Sequence, residues 1–252
     1  MKILRRKEVE EIISSARSSG EELNFRQVNL QMAKFLSGQD LTGADFSGAD
    51  LSEADLRMVN LGQASLNGAI LRRADLSQAD LSEANFTGAD LNEADPSEAN
   101  IEGAILRRTN LRAANLSGVN LRRARLNGAN LSEANLSGVD LKEASLAGAY
   151  LGLTICSMAD ISHADLRWTQ LNETNLDQTD LRQTDLRWAN LSGANLRQAD
   201  LAEADLSWSN LSGADLTQAN LAGAKFNGVR YNRQTQWPAN FDPTQTQAVA
   251  EE

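Results

Sequence analysis

A single cysteine and a single histidine are all that this chain of 252 residues contains of those two types. One cysteine excludes an internal disulfide framework and fits a reducing compartment, the cytoplasm. Cys156 and His163 are too few for a His/Cys metal cluster. They are also the only pair from which a histidine-activated thiol nucleophile could be built. Aromatic residues make up 5% of the chain, and no apolar run approaches the 18 or so residues that a membrane-spanning helix needs. The first seven residues are basic, but Glu8, Glu10 and Glu11 follow where a secretory leader would be apolar. No phosphate-cradling G-x-x-x-x-G-K-[ST] loop occurs. These absences point away from an enzyme, a metal, a cofactor, a small-molecule substrate and a membrane.

What the chain has instead is a period of five. Taking every fifth residue from Leu41 to Phe226 gives 38 positions, of which 31 are Leu; the others are Phe46, Phe86, Pro96, Ile101, Cys156, Ile161 and Phe226. A second series, from Ala44 to Val229, precedes each of the next core residues by two places and holds 27 Ala among its 38 members, the rest being Val, Thr or Ser. Neither common secondary structure has this period, because helices repeat at 3.6 and strands at 2. In a helix the leucines would spiral around the axis, and in a strand they would alternate sides. The pattern therefore requires a backbone that turns once every five residues and keeps the Leu and the small residue inward. Asp or Asn usually precedes the Leu, where it suits turn geometry and reaches nearby backbone amides. Gly often stands two after it, as in Leu41-Thr42-Gly43.

Ala44-Asp45-Phe46-Ser47-Gly48 and Ala49-Asp50-Leu51-Ser52-Glu53 resemble the A(D/N)LXX motif of the pentapeptide-repeat proteins. The resemblance implies an all-β solenoid, a right-handed quadrilateral β-helix with four pentapeptides, or 20 residues, per coil. Six glycines (48, 68, 88, 128, 148 and 228) fall in one column of that period, as do Trp168, Trp188 and Trp208. The 38 pentapeptides then make about 9.5 coils, a rod roughly 45 Å long at the ~4.8 Å spacing of adjacent strands.

The open ends of such a rod need cover. Residues 1–24 read as a helical cap, its helix spanning 5–18 with Val9, Ile12, Ile13 and Ala16 on one stripe and Gly20 as its stop. Residues 25–230 form the repeat region, which opens on a lead-in coil with one extra residue and with Phe25, Leu30 and either Phe35 or Leu36 inward. Residues 231–243, with Trp237-Pro238 and Phe241-Asp242-Pro243, read as a C-terminal cap, and residues 244–252 as a disordered tail. The lead-in and the Trp-Pro ending look like those of cyanobacterial members of the family.

Residues 20 apart stack on the outside of a solenoid, so the sequence also maps the surface. Trp168, Trp188 and Trp208 form a ladder with Arg167 and Arg187 beside it. It is either a partner-binding face or a stack that stabilises the rod. Six arginines (Arg107, Arg108, Arg112, Arg122, Arg123 and Arg125) with one acid, Glu102, make residues 101–125 a basic belt in a chain of net charge −10. They either await an acidic partner or pair with neighbours such as Glu102 and Glu143. Tyr150, Leu153, Ile155 and Met158 are apolar where the repeat faces water, so either the coil is distorted or a patch is exposed. Thr169, Thr174, Thr179 and Thr184 stand in the inward series, where their hydroxyls bond to backbone. Pro96 removes one ladder donor.

These features predict a monomeric, non-catalytic scaffold, regulatory in role, that binds a protein partner through its ruled outer faces. Resemblance to a family in which some members mimic DNA and bind gyrase makes that mimicry an alternative. DNA of the rod's length carries about 26 charges, far more than the net −10 here. Nucleic-acid binding through the arginine belt is a third reading, opposed by the acidic remainder of the surface.

Overall fold

The computed structural model describes residues 1–251. Its backbone coils with a 20-residue period. Parallel bridges join Asp40 to Asn60, Asn60 to Asp80, Asp80 to Asn100, and so on along that side, and the same steps recur on the other three sides. The bridging residue is the one just before each core residue, most often Asp or Asn. Within one pentapeptide, Ala64 N–H donates to the Leu61 carbonyl at 3.0 Å and closes a β-turn. Between coils, Leu61 N–H donates to the Asp80 carbonyl at 2.7 Å, and Asp80 N–H donates to that of Val59 at 2.9 Å. The backbone polar groups are thus used locally and axially, as burial requires.

Each residue type has a mechanical reason to be where it is. Leu and Ala columns fill the interior; Leu121, Leu126, Ala124 and Ala129 are all completely buried. The Asx residue accepts from the amide two places on, as where Ser77 N–H donates to Asp75 Oδ1 at 3.1 Å. The place two after the Leu lies in the left-handed region, at φ 60° in Gln63 and 69° in Gly88. A turn with positive φ at its third residue favours Gly, which explains the frequent Gly there. The four threonines of the inward series all donate to backbone carbonyls, Thr169 to Leu166 at 2.6 Å and Thr179 to Cys156 at 2.8 Å among them. At Pro96 no amide is available, and among the described residues the bridge from Asp95 to Asn115 is missing.

At the N-terminal end, α1 (Arg6–Ser19) buries Val9, Ile13 and Ala16 and stops at Gly20, whose φ is 72°. Val9 and Ile13 join the core cluster that continues through Phe25 and Phe46, whose rings stack at 4.8 Å. Ile12, the fourth member of the expected stripe, is only partly buried. The extra residue of the lead-in is present. Asn29 bridges Asp50, 21 residues on, whereas Asp40 bridges Asn60, 20 residues on. Leu36 rather than Phe35 takes the inward place. One element has no counterpart in the sequence reading: β1 (Lys2–Ile3) pairs in parallel with β2 (Val28–Asn29).

At the C-terminal end, residues 243–250 include two short elements within the segment that the sequence reads as a tail, and Glu252 lies outside the described residues. A 3₁₀ turn at Pro243–Gln245 is followed by β4 (Val249–Ala250), which pairs with β3 (Arg230–Tyr231). Val249 N–H donates to the Val229 carbonyl and Glu251 N–H to that of Tyr231, both at 2.7 Å. The last coil otherwise presents an unpaired edge, and the polar tail supplies its partners. Trp237 and Phe241 pack against Phe226 with ring centroids 5.9 and 5.0 Å away.

Candidate functional site

Three exposed tryptophans form one continuous stack. Trp168 and Trp188 lie 5.0 Å apart and 3° from parallel, and Trp188 and Trp208 lie 5.3 Å apart and 9° from parallel. They are 57%, 44% and 52% exposed, respectively. All three stand at the left-handed turn position, with φ of 62°, 63° and 65°. A bulky residue pays conformational strain there. The other members of that column are six glycines and Arg108. The stack leans toward the C-terminal end: a Cβ added to Gly228 would lie 2.5 Å from Trp208 Cε3. Only a residue without a side chain lets Trp208 lie down there.

Arg167 and Arg187, expected beside the ladder, are committed to carboxylates. Arg167 donates from Nε and Nη2 to the two oxygens of Asp165, each at 2.8 Å, and Arg187 grips Asp185 in the same way at 2.8 and 2.6 Å. The Arg167 hydrogen bonds hold the Asp165 carboxyl below the usual carboxylate range against the opposing cost of burial. These arginines orient the corner rather than offer free charge.

The basic belt divides in two. Arg112 pairs with Glu133, Arg122 with Asp140 and Arg123 with Glu143, at 2.6, 3.3 and 3.0 Å. Glu143 is the neighbour expected from sequence. Glu102 instead accepts from Asn120 Nδ2 at 3.4 Å. Among the described residues, Arg107, Arg108 and Arg125 have no carboxylate within ion-pair distance. All three are exposed. They sit at or beside the edge that carries the tryptophans, Arg108 in the tryptophan column itself.

Tyr150, Leu153, Ile155 and Met158 are all exposed. The coil beneath them is regular, because Tyr150 bridges both Asn130 and Gln170, and Ile155 bridges both Asn135 and Asn175. Of the two expectations, the exposed patch is the one the geometry realises. Cys156 beneath it is fully buried, and burial pushes its thiol up to about 12. It stays protonated and unreactive. His163 is exposed on a different side. No group of three or more His, Cys, Asp or Glu among the described residues is placed to hold a metal ion. No helix among them is long and apolar enough to cross a membrane.

Stacked by coil, these features show a stripe that sequence reasoning missed. The tryptophan column and the next two outward columns contain no Asp or Glu from Arg108 to Ser212. Beside the indoles runs an amide ladder, in which Asn190 Nδ2 donates to Gln170 Oε1 at 3.2 Å and Asn210 Nδ2 to Asn190 Oδ1 at 3.4 Å. Tyr150 interrupts it. A groove of about 560 Å³ lies along Trp188, Trp208, Asn190 and Asn210, and a second of about 410 Å³ along Arg108, Gly128, Asn130 and Tyr150. The 20-residue sequence columns held this signal, but counting charge along the chain hid it.

The fold and this surface define a four-sided β-solenoid repeat protein with one carboxylate-free edge. The family model for pentapeptide repeats matches the chain in 8 copies, over residues 36–68, 60–95, 97–132, 120–155, 159–198 and 199–230. The chain belongs to the pentapeptide-repeat family, whose right-handed quadrilateral β-helix accounts for the coil described above. It is 37% identical to HetL from the cyanobacterium Nostoc sp. strain PCC 7120, a pentapeptide repeat protein involved in heterocyst differentiation regulation. That alignment covers 86% of this chain and 94% of HetL, with a TM-score of 0.44. It is 40% identical to Rfr23 from Cyanothece 51142 over 37% of this chain and 63% of that one, TM-score 0.37. QnrB1, a plasmid-mediated fluoroquinolone resistance protein, is 16% identical over 85% of this chain and 90% of its own, TM-score 0.31. No curated protein matches the chain.

Proposed function

We propose that this protein is a non-catalytic interaction scaffold that docks a protein partner, in a regulatory role, on the carboxylate-free edge carrying Trp168, Trp188 and Trp208. The helix α1 and the residues after 230 serve as end caps of a monomeric rod. The observation that carries the reading is the exposed indole stack, held at positive φ where the backbone favours glycine. Tryptophan concentrates at binding hot spots. Side chains set at coil spacing on a rigid rod lose little conformational entropy on docking. The 37% identity to HetL is consistent with a regulatory role.

DNA mimicry has less support. Asp140, Asp160, Asp180 and Asp200 stack along one side, but Arg122 pairs with Asp140, and Arg182 lies 2.5 Å from Asp180 and 3.8 Å from Asp200. Direct nucleic-acid binding through the belt has still less, since half of its arginines are already paired.

The test compares the parent with Trp188→Ala and with the triple Trp168/Trp188/Trp208→Ala variant. Affinity capture from the source organism's lysate is read together with the melting temperature. Loss of a captured protein with a nearly unchanged melting temperature supports the reading. A large drop in melting temperature with capture unchanged would make the stack a stabilising device. Capture of topoisomerase subunits, undiminished by the variants, would favour mimicry.

A further inference from the structure

The tryptophan stack ends in a vacancy. Every indole leans toward the C-terminal end of the rod, so the outer face of Trp168 looks back toward Gly148. No aromatic ring among the described residues covers that face, since Trp168 stacks only on Trp188. A Cβ built on Gly148 meets nothing within 4 Å. One coil further back is Gly128, toward which Arg108 leans the same way, its Cγ 3.7 Å from where a Gly128 Cβ would lie. Arg108 and Trp168 stand three coils apart with Gly128 and Gly148 between them, so the slot over these glycines runs from a guanidinium at one end to an indole at the other. Tyr150 stands beside it, 54% exposed. At ~4.8 Å per coil, the two glycine coils leave two rungs empty, and a planar aromatic group lying on Trp168 would continue the stack by one of them.

The rim of the slot is cationic. Arg125 lies one coil, and Arg107 and Arg108 two coils, toward the N-terminal end from Gly148, and none has a carboxylate partner among the described residues. Arg112 and Arg122, in the same two coils, do have partners. The charge left over is specific to the edge that carries the slot. Guanidinium groups favour both aromatic faces and carboxylates.

We propose that the slot over Gly148 receives an aromatic side chain from an acidic segment of a protein partner. The ring stacks on the open face of Trp168, and flanking carboxylates engage Arg107, Arg108 and Arg125 toward the N-terminal end. This rests on the reading of the tryptophan edge as a docking face and names what docks there. A nucleotide shares the chemistry of an aromatic ring beside an anion, but two features favour the peptide. The slot is open to solvent, whereas sites for small molecules bury most of their ligand. A longer polyanion would also face the neighbouring column of Asp165, Asp185 and Asp205, in a protein of net charge −10.

The test uses the full chain and synthetic twelve-residue peptides with a central Phe, Tyr or Trp between glutamates. Control peptides have the aromatic replaced by Ala or the glutamates by Lys, and adenosine monophosphate and a short oligothymidylate serve as competing classes. Binding is read by calorimetry and by the fluorescence of the indole stack. The expected result is saturable binding of the aromatic acidic peptides only, weakened about tenfold in Arg108→Ala, as for the loss of one good charged contact. The double variant Gly128→Trp/Gly148→Trp should abolish it by filling both rungs with the chain's own indoles. That variant is expected to fold, because the adjacent coils carry Trp at the same place and φ. Arg108→Glu, which leaves the backbone untouched, gives a second path to the same loss. Peptide binding that survives Gly128→Trp/Gly148→Trp and Arg108→Glu, absence of peptide binding altogether, or binding of the nucleotides instead would overturn the proposal. If a lysate partner is lost in the triple tryptophan variant but kept in Gly128→Trp/Gly148→Trp, the docking face stands and the slot does not. If neither variant loses it, the docking face itself fails.

Discussion

Gly88 and Trp188 occupy the same column five coils apart. Their backbones are nearly identical, with φ of 69° and 63°. The interior behind them is also alike, with Phe86 and Leu186 both fully buried. Nothing in the coil therefore requires tryptophan. Gly holds that place at 48, 68, 88, 128, 148 and 228, as the turn geometry prefers, and Trp holds it at 168, 188 and 208, which the turn merely tolerates. In a solenoid the inward places specify the fold, and the outward places are free to carry something else. A bulky residue repeated at a strained outward place is therefore read as a surface feature.

The largest effect should come from crossing between the two sides of the coil wall. Leu121→Ala, at a completely buried position, is expected to cost about 2–5 kcal/mol in urea unfolding through lost transfer energy and a residual cavity. Trp188→Ala, one wall outward, should cost only about 1–2 kcal/mol, that of its two half-exposed stacked pairs. A Trp188→Ala loss as large as that of Leu121→Ala would erase the distinction.

A finer contrast lies within the column. Gly88→Ala meets open space and should cost about 1 kcal/mol for a Cβ at positive φ. Gly228→Ala must also displace the Trp208 ring, adding roughly another 1 kcal/mol of lost stacking and weakening the near-ultraviolet circular dichroism of the indoles. Equal costs and an unchanged spectrum would mean that the stack does not rest on Gly228.

The smallest effect concerns charge. Arg167 and Arg182 hold the carboxyls of Asp165 and Asp180 below the ordinary aspartate value of 3.8. A carboxyl whose folded value is depressed contributes stability that is fully present above its unfolded value and disappears as pH falls through its folded one. The urea midpoint should therefore be flat above about pH 5 and decline below pH 3.8. The decline should be shallower in Arg167→Met. High salt should change it little, since these pairs are close and bidentate. A decline that starts near neutral pH would point to other groups.

Much of the molecule was legible because its logic is local. The five-residue period, the extra residue before Asp40 and the role of the threonine hydroxyls all follow from which residue sits where along one coil. Trp168, Trp188 and Trp208 could be stacked on paper once the 20-residue column was granted. Other features resisted. Arg107 and Arg122 look equivalent in sequence, yet one lacks an acid and the other finds Asp140, because pairing depends on which carboxylate the next coil presents. Residues 244–251 look like a polar tail, and Val249–Ala250 pair as β4 because an open edge of β3 lies within reach. No periodicity in residues 244–251 could announce that.

From the sequence alone came the coil, its register and the identity of each inward column, since residue size, hydrophobicity and turn preference act within five residues. The tertiary structure alone decided which way the indoles lean, which arginines are neutralised, that the coil bearing Tyr150 stays regular, and how both ends are finished. Those outcomes depend on contacts between residues about 20 apart, where distance and orientation, not composition, set the energy of each interaction.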